Sequence, residues 1–133
     1  MIAKIYRMRH VYLCDKYNWT IPINVFGPGL AIVHAGTIVV SGSAQVGKNC
    51  RIHVCTNIGR AAIRDGKESG APVIGDTVYI GPGAKLFGPI RIGDNTVIGA
   101  NAVVNKSFEE GNCTIAGVPA KMVSSNNSHE FIL

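Results

Sequence analysis

The feature that most constrains this chain is an aliphatic residue at every sixth position, usually followed by glycine. In the second half the register runs through Ile74, Ile80, Leu86, Ile92, Ile98 and Val104. An earlier stretch keeps its own unbroken register through Val40, Val46, Ile52 and Ile58. A period of six matches neither the 3.6-residue period of a helix nor the two-residue alternation of a strand. It is typical of a hexapeptide-repeat solenoid, in which each hexad forms one short face of a prism-shaped β-helix.

The composition agrees with a narrow solenoid of this kind. The 133 residues suffice for one domain with its own core. Apolar residues make up 47% of the chain and aromatic residues only 7%, so the core would consist of stacked Ile, Val and Ala side chains. The fifth position of each hexad is mostly small, as a tightly turned coil requires. These residues are Ala44, Cys50, Thr56, Val78, Ala84, Ile90, Thr96 and Ala102.

The composition also narrows the classes of function. No apolar run approaches the roughly 20 residues that span a bilayer, and the N-terminus lacks the apolar core of a signal peptide. The four cysteines show no C-x-x-C spacing, so neither a zinc knuckle nor a dithiol pair is indicated, and a reduced, cytoplasmic protein is expected. The net charge is +5, but the basic residues form no run and are not interleaved with aromatics. A solvated face or a phosphate-bearing small ligand explains this charge, and nucleic acid is not the expected partner.

Three segments are expected along the chain. Residues 1–20 form a short N-terminal helical segment, with an amphipathic helix over 3–18. Residues 21–123 form the β-helix, which is regular from about Val40 onward. Residues 124–133 form a polar C-terminal tail.

The repeat is broken once, at about residues 60–73. This stretch is charged and contains two glycines and, near its end, Pro72, so we expect it to be extruded as a loop. Loops on repeat proteins concentrate on the functional face, although a tolerated surface insertion would give the same pattern.

Few residues in this chain have the spacing of a known catalytic centre. There is no G-x-S-x-G elbow for a serine hydrolase. One class of solenoid, the γ-type carbonic anhydrases, binds metal through a close H-x4-H pair and a third histidine. The four histidines here are widely separated, so no metal site is expected. They are His10, His34, His53 and His129.

His34 stands out among these histidines because of its register. Counting back in sixes from Val40 reaches His34, so a histidine occupies a position where an inward aliphatic residue is expected. A lone histidine in such a position is usually structural, with its ring hydrogen-bonded to a carbonyl. A catalytic role is the alternative.

A set of short motifs surrounds His34. Residues 29–40 read GLAIVHAGTIVV, a glycine and a few aliphatics followed by histidine, a small pair and an aliphatic run. Further segments are 46–49 (VGKN), 56–59 (TNIG), 80–93 (IGPGAKLFGPIRIG), 98–104 (IGANAVV) and 116–121 (AGVPAK). Together these motifs resemble the serine acetyltransferases and their relatives in capsular and exopolysaccharide gene clusters. The resemblance extends over roughly residues 21–123.

The resemblance implies an all-β, left-handed parallel β-helix that transfers an acetyl group from acetyl-CoA to an acceptor hydroxyl. His34 would be the general base, because histidine suits proton transfer near neutral pH. A homotrimer is also implied, with coenzyme A in the groove between two solenoids and no metal. Gly81, Ala100 and Asn105 are the implied contacts to pantetheine, and Lys106, Lys121 and Lys85 the implied contacts to the phosphates.

Two departures from the family leave the acceptor open. The family has an aspartate fifteen residues before the catalytic histidine, where this chain has Trp19. The family also has a loop histidine near the serine site, at a position matched here by Ala71. The acceptor is therefore L-serine or a sugar hydroxyl in polysaccharide assembly, and a catalytically silent interaction module is a further alternative. His53 could compensate by stacking beside His34 one solenoid turn later, or could be an exposed turn residue.

Overall fold

The computed structural model describes residues 1–61 and 69–131. Over these residues the chain forms one α-helix, fourteen short strands and a final 3-10 turn. The helix α1 is Ile2–Tyr17 and the 3-10 turn is Ser128–Glu130. The strands are β1 (Trp19–Thr20), β2 (Ala31–Ile32), β3 (Ile38–Val40), β4 (Gln45–Val46), β5 (Arg51–Ile52), β6 (Thr56–Gly59), β7 (Val73–Ile74), β8 (Tyr79–Ile80), β9 (Lys85–Phe87), β10 (Arg91–Ile92), β11 (Val97–Ile98), β12 (Val103–Val104), β13 (Thr114–Gly117) and β14 (Ala120–Ser124).

The strands stack into three sheets, one for each face of a prism. Face 1 has the order β1-β3-β6-β9-β12, face 2 the order β10-β7-β4, and face 3 the order β14-β13-β11-β8-β5-β2. The pairs are parallel, apart from β13 and β14, where the chain folds back antiparallel. Neighbouring strands of a face come from successive turns of the chain. The structure is the predicted left-handed parallel β-helix.

The core is a set of inward columns that follow the six-residue period. On face 1, for example, Ile58 lies between Val40 and Leu86 in register, and all three side chains are buried. The eight residues at the fifth hexad positions are buried as well. Each fully buried aliphatic side chain contributes about 1.5–3 kcal/mol relative to an exposed one. Burial raises the pKa of the Cys50 thiol to about 12, so it remains neutral and packs as a small apolar group.

The corners between face 2 and face 3 use one left-handed residue in each turn. Asn49, Thr77, Asn95 and Asn112 have φ values of 55°, 56°, 56° and 48°. In each case the backbone N–H of this residue donates to a carbonyl of the neighbouring turn. Asparagine tolerates this conformation better than most residues, which explains why it recurs at the corner.

Helix α1 lies beside the first turn and buries none of its residues. The His10 ring joins it to the solenoid, because its Nε2 donates to the Ile21 carbonyl at 2.7 Å. The apolar side chains of the helix remain largely in solvent, with Ile5 54% and Tyr12 62% exposed. None of the helices in the described ranges has the length and apolarity needed to cross a membrane.

Half of the predicted break at 60–73, residues 62–68, lies outside the described residues. The two ends of the break meet, because the Ala61 N–H donates to the Gly70 carbonyl at 2.9 Å. Strand β7 then resumes in register with β4, so the insertion leaves the solenoid unchanged on either side. The division of the chain into segments 1–20, 21–123 and 124–133 stays a prediction.

Candidate active site

His34 lies in the corner that joins face 3 to face 1 in the first turn of the β-helix. The strand pairs on either side of this corner show how many residues it contains. Ile32 pairs with Ile52, and Val40 pairs with Ile58. Ile32 and Val40 are eight positions apart, whereas Ile52 and Ile58 are six apart. The first corner therefore contains two residues more than the corner of the second turn.

These extra residues overturn the prediction that His34 points inward. Counting back from Val40 assumed a regular corner, but the inward residue of this strand is Ile32, and His34 is exposed. Gly36 lets the longer corner fold down onto the next turn: it has φ 144°, and a Cβ there would lie 2.9 Å from Cγ1 of Val54. An exposed histidine is open to a ligand, which an inward one would not be.

His53 occupies the equivalent corner of the second turn, where Gly81 stands in the third. The Val33 N–H donates to the Ile52 carbonyl and the His53 N–H to the Ile80 carbonyl, each at 3.2 Å. This register places His34 and His53 on adjacent turns of one edge, and turns are spaced about 4.8 Å apart. The sequence carried a signal for His53, because a histidine replaces the glycine that usually follows the hexad aliphatic.

The His53 ring is half-buried and held in one orientation. Its Nδ1 lies 2.9 Å from the Ile80 carbonyl, and its Nε2 lies 3.4 Å from the Tyr79 hydroxyl. The rings of His53 and Tyr79 are 4.8 Å apart. Sequence reasoning did not identify Tyr79, which occupies an outward strand position that any half-exposed residue could fill.

Three of the predicted coenzyme A contacts lie on the same edge as His34. Gly81 and Ala100 occupy the corners of successive turns, and a Cβ at Gly81 would lie 2.8 Å from the Ala100 nitrogen. Lys121 faces Ala116 across the β13–β14 pair, which continues this edge beyond the fourth turn. Ala100 and Lys121 are exposed to solvent, whereas Gly81 is buried.

Lys85 is close to the same edge but is tied to the backbone. Its Nζ donates to the Gly83 carbonyl at 3.1 Å and also to the Cys55 carbonyl. These bonds stabilise two neighbouring corners. They leave the ammonium with less capacity for a phosphate than a free lysine has.

The structure separates Asn105 and Lys106 from the other candidates. Both follow β12 and therefore lie at the corner between face 1 and face 2, on a different edge of the prism from His34. Both side chains are exposed, and the Lys106 Nζ lies 5.3 Å from the centre of the Phe108 ring.

Trp19 begins face 1, where it pairs with Ile38. Its ring stacks on Tyr17 with centroids 4.8 Å apart, and its Nε1 is buried with no hydrogen-bond partner in the described structure. An indole has no carboxylate, so this residue cannot orient a histidine as an aspartate would. Within residues 1–61 and 69–131, no three His, Cys, Asp or Glu side chains are grouped as metal ligands.

Comparison with known proteins gives one family match and a consistent group of relatives. Residues 71–106 match the family described as bacterial transferase hexapeptide (six repeats). The chain is 37% identical over 105 residues to a serine acetyltransferase of Mycobacterium tuberculosis, which covers 79% of this chain and 44% of that protein. The chain spans about half the length of the curated relatives it matches, from 38% to 57% among the first of them.

Solved structures give the same result. The crystal structure of a serine acetyltransferase from Brucella abortus matches with a TM-score of 0.74 and 29% identity, covering 96% of this chain and 53% of that one. A structure from the same strain in complex with coenzyme A matches with a TM-score of 0.66 and 37% identity, covering 77% of this chain and 40% of that one.

Proposed function

Because the chain is a hexapeptide-repeat protein that resembles the serine acetyltransferases, we propose that it transfers an acetyl group from acetyl-CoA to an acceptor hydroxyl. The observation that carries this proposal is the exposed His34 on an enlarged corner, within the segment shared with these relatives. The coenzyme A complex of one relative supports acetyl-CoA as the donor.

In this reaction His34 acts as the general base. It takes the proton from the acceptor hydroxyl while the oxygen attacks the thioester carbonyl, so that the new C–O bond forms and the C–S bond then breaks. The same proton passes from the imidazolium to the departing thiolate, which leaves as coenzyme A. Backbone N–H groups of the corners hold the developing oxyanion, and a single such donor contributes about 3–4 kcal/mol in well-studied cases. His53, one turn away, is the second catalytic candidate.

The working form that we propose is a homotrimer. Gly81, Ala100 and Lys121 lie on the edge of His34, whereas Asn105 and Lys106 lie on another edge. This division supports a coenzyme A site between two chains, one presenting each edge. Sedimentation equilibrium should give three times the chain mass, and a monomer at assay concentration would contradict the proposal.

The acceptor is L-serine on the strength of the named relatives, with a sugar hydroxyl as the second candidate. Two observations favour the sugar. Trp19 is engaged with Tyr17 and lacks a carboxylate, and Ala71 cannot reproduce the polar contact of a loop histidine. Both departures concern features that the resemblance assigns to a serine site, while His34 is retained.

A cytoplasmic location is also part of the proposal. All four cysteines are free thiols, which is typical of a reducing compartment. Cell fractionation with compartment markers would test it, and recovery outside the cytoplasm would contradict it.

Release of free thiol from acetyl-CoA, measured with serine and then with a panel of sugars, tests the reaction. We expect His34→Ala to lower kcat/KM by about 10²- to 10⁴-fold, the usual contribution of a general base. His129→Ala is the matched control, since His129 is exposed and lies in the 3-10 turn. No turnover with any acceptor would leave the interaction-module alternative, whereas full activity of His34→Ala would exclude His34 as the general base. Turnover with sugars and not serine would assign the second acceptor.

A further inference from the structure

Three rings from distant parts of the chain meet on face 3 beside the His34 edge. Tyr79 lies between His53 and Phe131, with ring centroids 4.8 Å from the first and 5.5 Å from the second. The three residues come from β5's corner, from β8 and from the end of the described chain. The fold brings these three rings into contact, and this contact links the C-terminal segment to the candidate site.

The hydrogen bonds of His53 determine its tautomer. A carbonyl oxygen can only accept, so the Nδ1 that lies 2.9 Å from the Ile80 oxygen carries the proton. In the neutral ring the lone pair is then on Nε2, which faces the Tyr79 hydroxyl at 3.4 Å. That distance is long for an O–H···N hydrogen bond. Ring packing therefore contributes more to the orientation of His53 than the hydroxyl does.

The C-terminal segment is anchored where it supports Tyr79. Ser128 is fully buried, its hydroxyl donates to the Thr77 carbonyl, and its N–H donates to the Asn95 carbonyl at 3.1 Å. The Asn127 side chain caps the 3-10 turn by accepting from the His129 N–H at 3.1 Å. Phe131 follows this turn directly, with its own N–H bonded to the Ser128 carbonyl at 2.9 Å. The position of Phe131 against Tyr79 is thus fixed from two neighbouring turns of the solenoid.

We propose that Tyr79 is a positioning residue for the acetyl-transfer site, acting through His53, and that Phe131 holds Tyr79 in place. This proposal rests on the proposed function, since it assumes that His53 assists His34 at the acceptor. Tyr79 keeps the His53 ring in the plane in which Nδ1 reaches the Ile80 carbonyl and Nε2 faces the Tyr79 hydroxyl. The C-terminal segment then has a catalytic effect without touching substrate.

The first test is kinetic. Tyr79→Ala should lower kcat/KM for the acceptor about 10-fold and Phe131→Ala about 3-fold, each with an unchanged KM for acetyl-CoA. Tyr79→Phe keeps the ring and should stay within about 2-fold of the unaltered protein. Phe87→Ala is the control for Phe131→Ala, because Phe87 is 43% exposed against 45% for Phe131 but lies on face 1. Activity of Tyr79→Ala equal to that of Tyr79→Phe would overturn the proposal.

The second test needs no turnover. Nitrogen-15 NMR of the histidine rings should show a single Nδ1–H tautomer for His53 in the unaltered protein and in Tyr79→Phe, and a tautomer mixture in Tyr79→Ala and Phe131→Ala. An unchanged tautomer in folded Tyr79→Ala and Phe131→Ala would refute the positioning role, even if His34→Ala abolishes activity. If the unaltered protein acetylates no acceptor, the proposed function fails, and this measurement still decides whether Tyr79 orients His53.

Discussion

The corner that carries His34 differs from the three corners that follow it along the same edge. The later corners place three residues between inward positions, at 53–55, 81–83 and 99–101, whereas the first corner has five, at 33–37. Each later corner ends in a left-handed residue, with φ values of 61° at Cys55, 77° at Gly83 and 57° at Asn101.

The regular corners show how many residues the fold needs to turn from face 3 to face 1, and the long corner shows that the fold accepts two more. In the regular corners the left-handed residue donates its N–H to the neighbouring turn, as Cys55 does to the Thr37 carbonyl at 2.7 Å. Three residues are enough to close the prism in this way. The two further residues of the first corner bury no side chain of their own, and they shift His34 out of the inward position that counting in sixes assigns to it. The candidate chemistry therefore lies in the corner whose length departs from the repeat.

Removing the two extra residues should give the largest effect. Deleting Ala35 and Gly36 leaves a three-residue corner of the length found at 53–55, with Thr37 in the position of Cys55. We expect the β-helix to persist by circular dichroism and the thiol-release activity to fall by about 10²-fold or more, since a misplacement of about 1 Å can cost that much.

The control is the same deletion combined with His34→Ala. If the deletion acts by displacing His34, the second change should lower the activity no further. A deletion variant with full activity would show that the length of the first corner is unrelated to function.

The fold could be predicted from the sequence because the six-residue period records inward packing directly. The position of His34 could not, for a reason that is visible in the register. Ile38 is six residues after Ile32, so the period looks unbroken through the long corner. Only the pairing of Ile38 with Thr56 shows that Ile38 fills the fifth position of its hexad and that the hexad aliphatic is Val40.

The cluster around Tyr79 was beyond sequence reasoning for a different reason. Its members are separated by 26 residues between His53 and Tyr79 and by twice that between Tyr79 and Phe131. No period relates the C-terminal segment to the solenoid, because its attachment depends on backbone carbonyls at Thr77 and Asn95. Every residue has a backbone carbonyl, so the sequence does not indicate which carbonyls accept these hydrogen bonds.

A substitution of intermediate effect tests how closely the long corner is packed on the regular one below it. Gly36→Ala should destabilise the protein by about 1–3 kcal/mol, because an L-residue is strained at φ 144° and its Cβ would lie 2.9 Å from Val54. Gly42→Ala is the matched control, since its Cβ would meet Pro22 only at 3.7 Å. We expect the control to be neutral or stabilising by up to about 1 kcal/mol in chemical denaturation. Equal stability of the two variants would mean that the long corner is loose.

The smallest expected effect concerns the regular corners themselves, between face 2 and face 3. Thr77 is a β-branched residue in a left-handed position that three asparagines fill in the other turns, so Thr77→Asn should stabilise the protein by about 1 kcal/mol. Its backbone bonds to Lys48 and Ser128 are retained, because neither uses the Thr77 side chain. The reverse change, Asn95→Thr, should lower the stability by slightly more than Thr77→Asn raises it, because Asn95 also donates from Nδ2 to Asn112 at 3.0 Å. Thermal unfolding at one fixed protein concentration would show shifts of about 3–5 °C in opposite directions. A lower Tm for Thr77→Asn would contradict this prediction. It would mean that the Thr77 side chain makes a contact whose stabilisation exceeds the strain of its left-handed backbone. The corners of this edge would then be less regular than their φ values indicate.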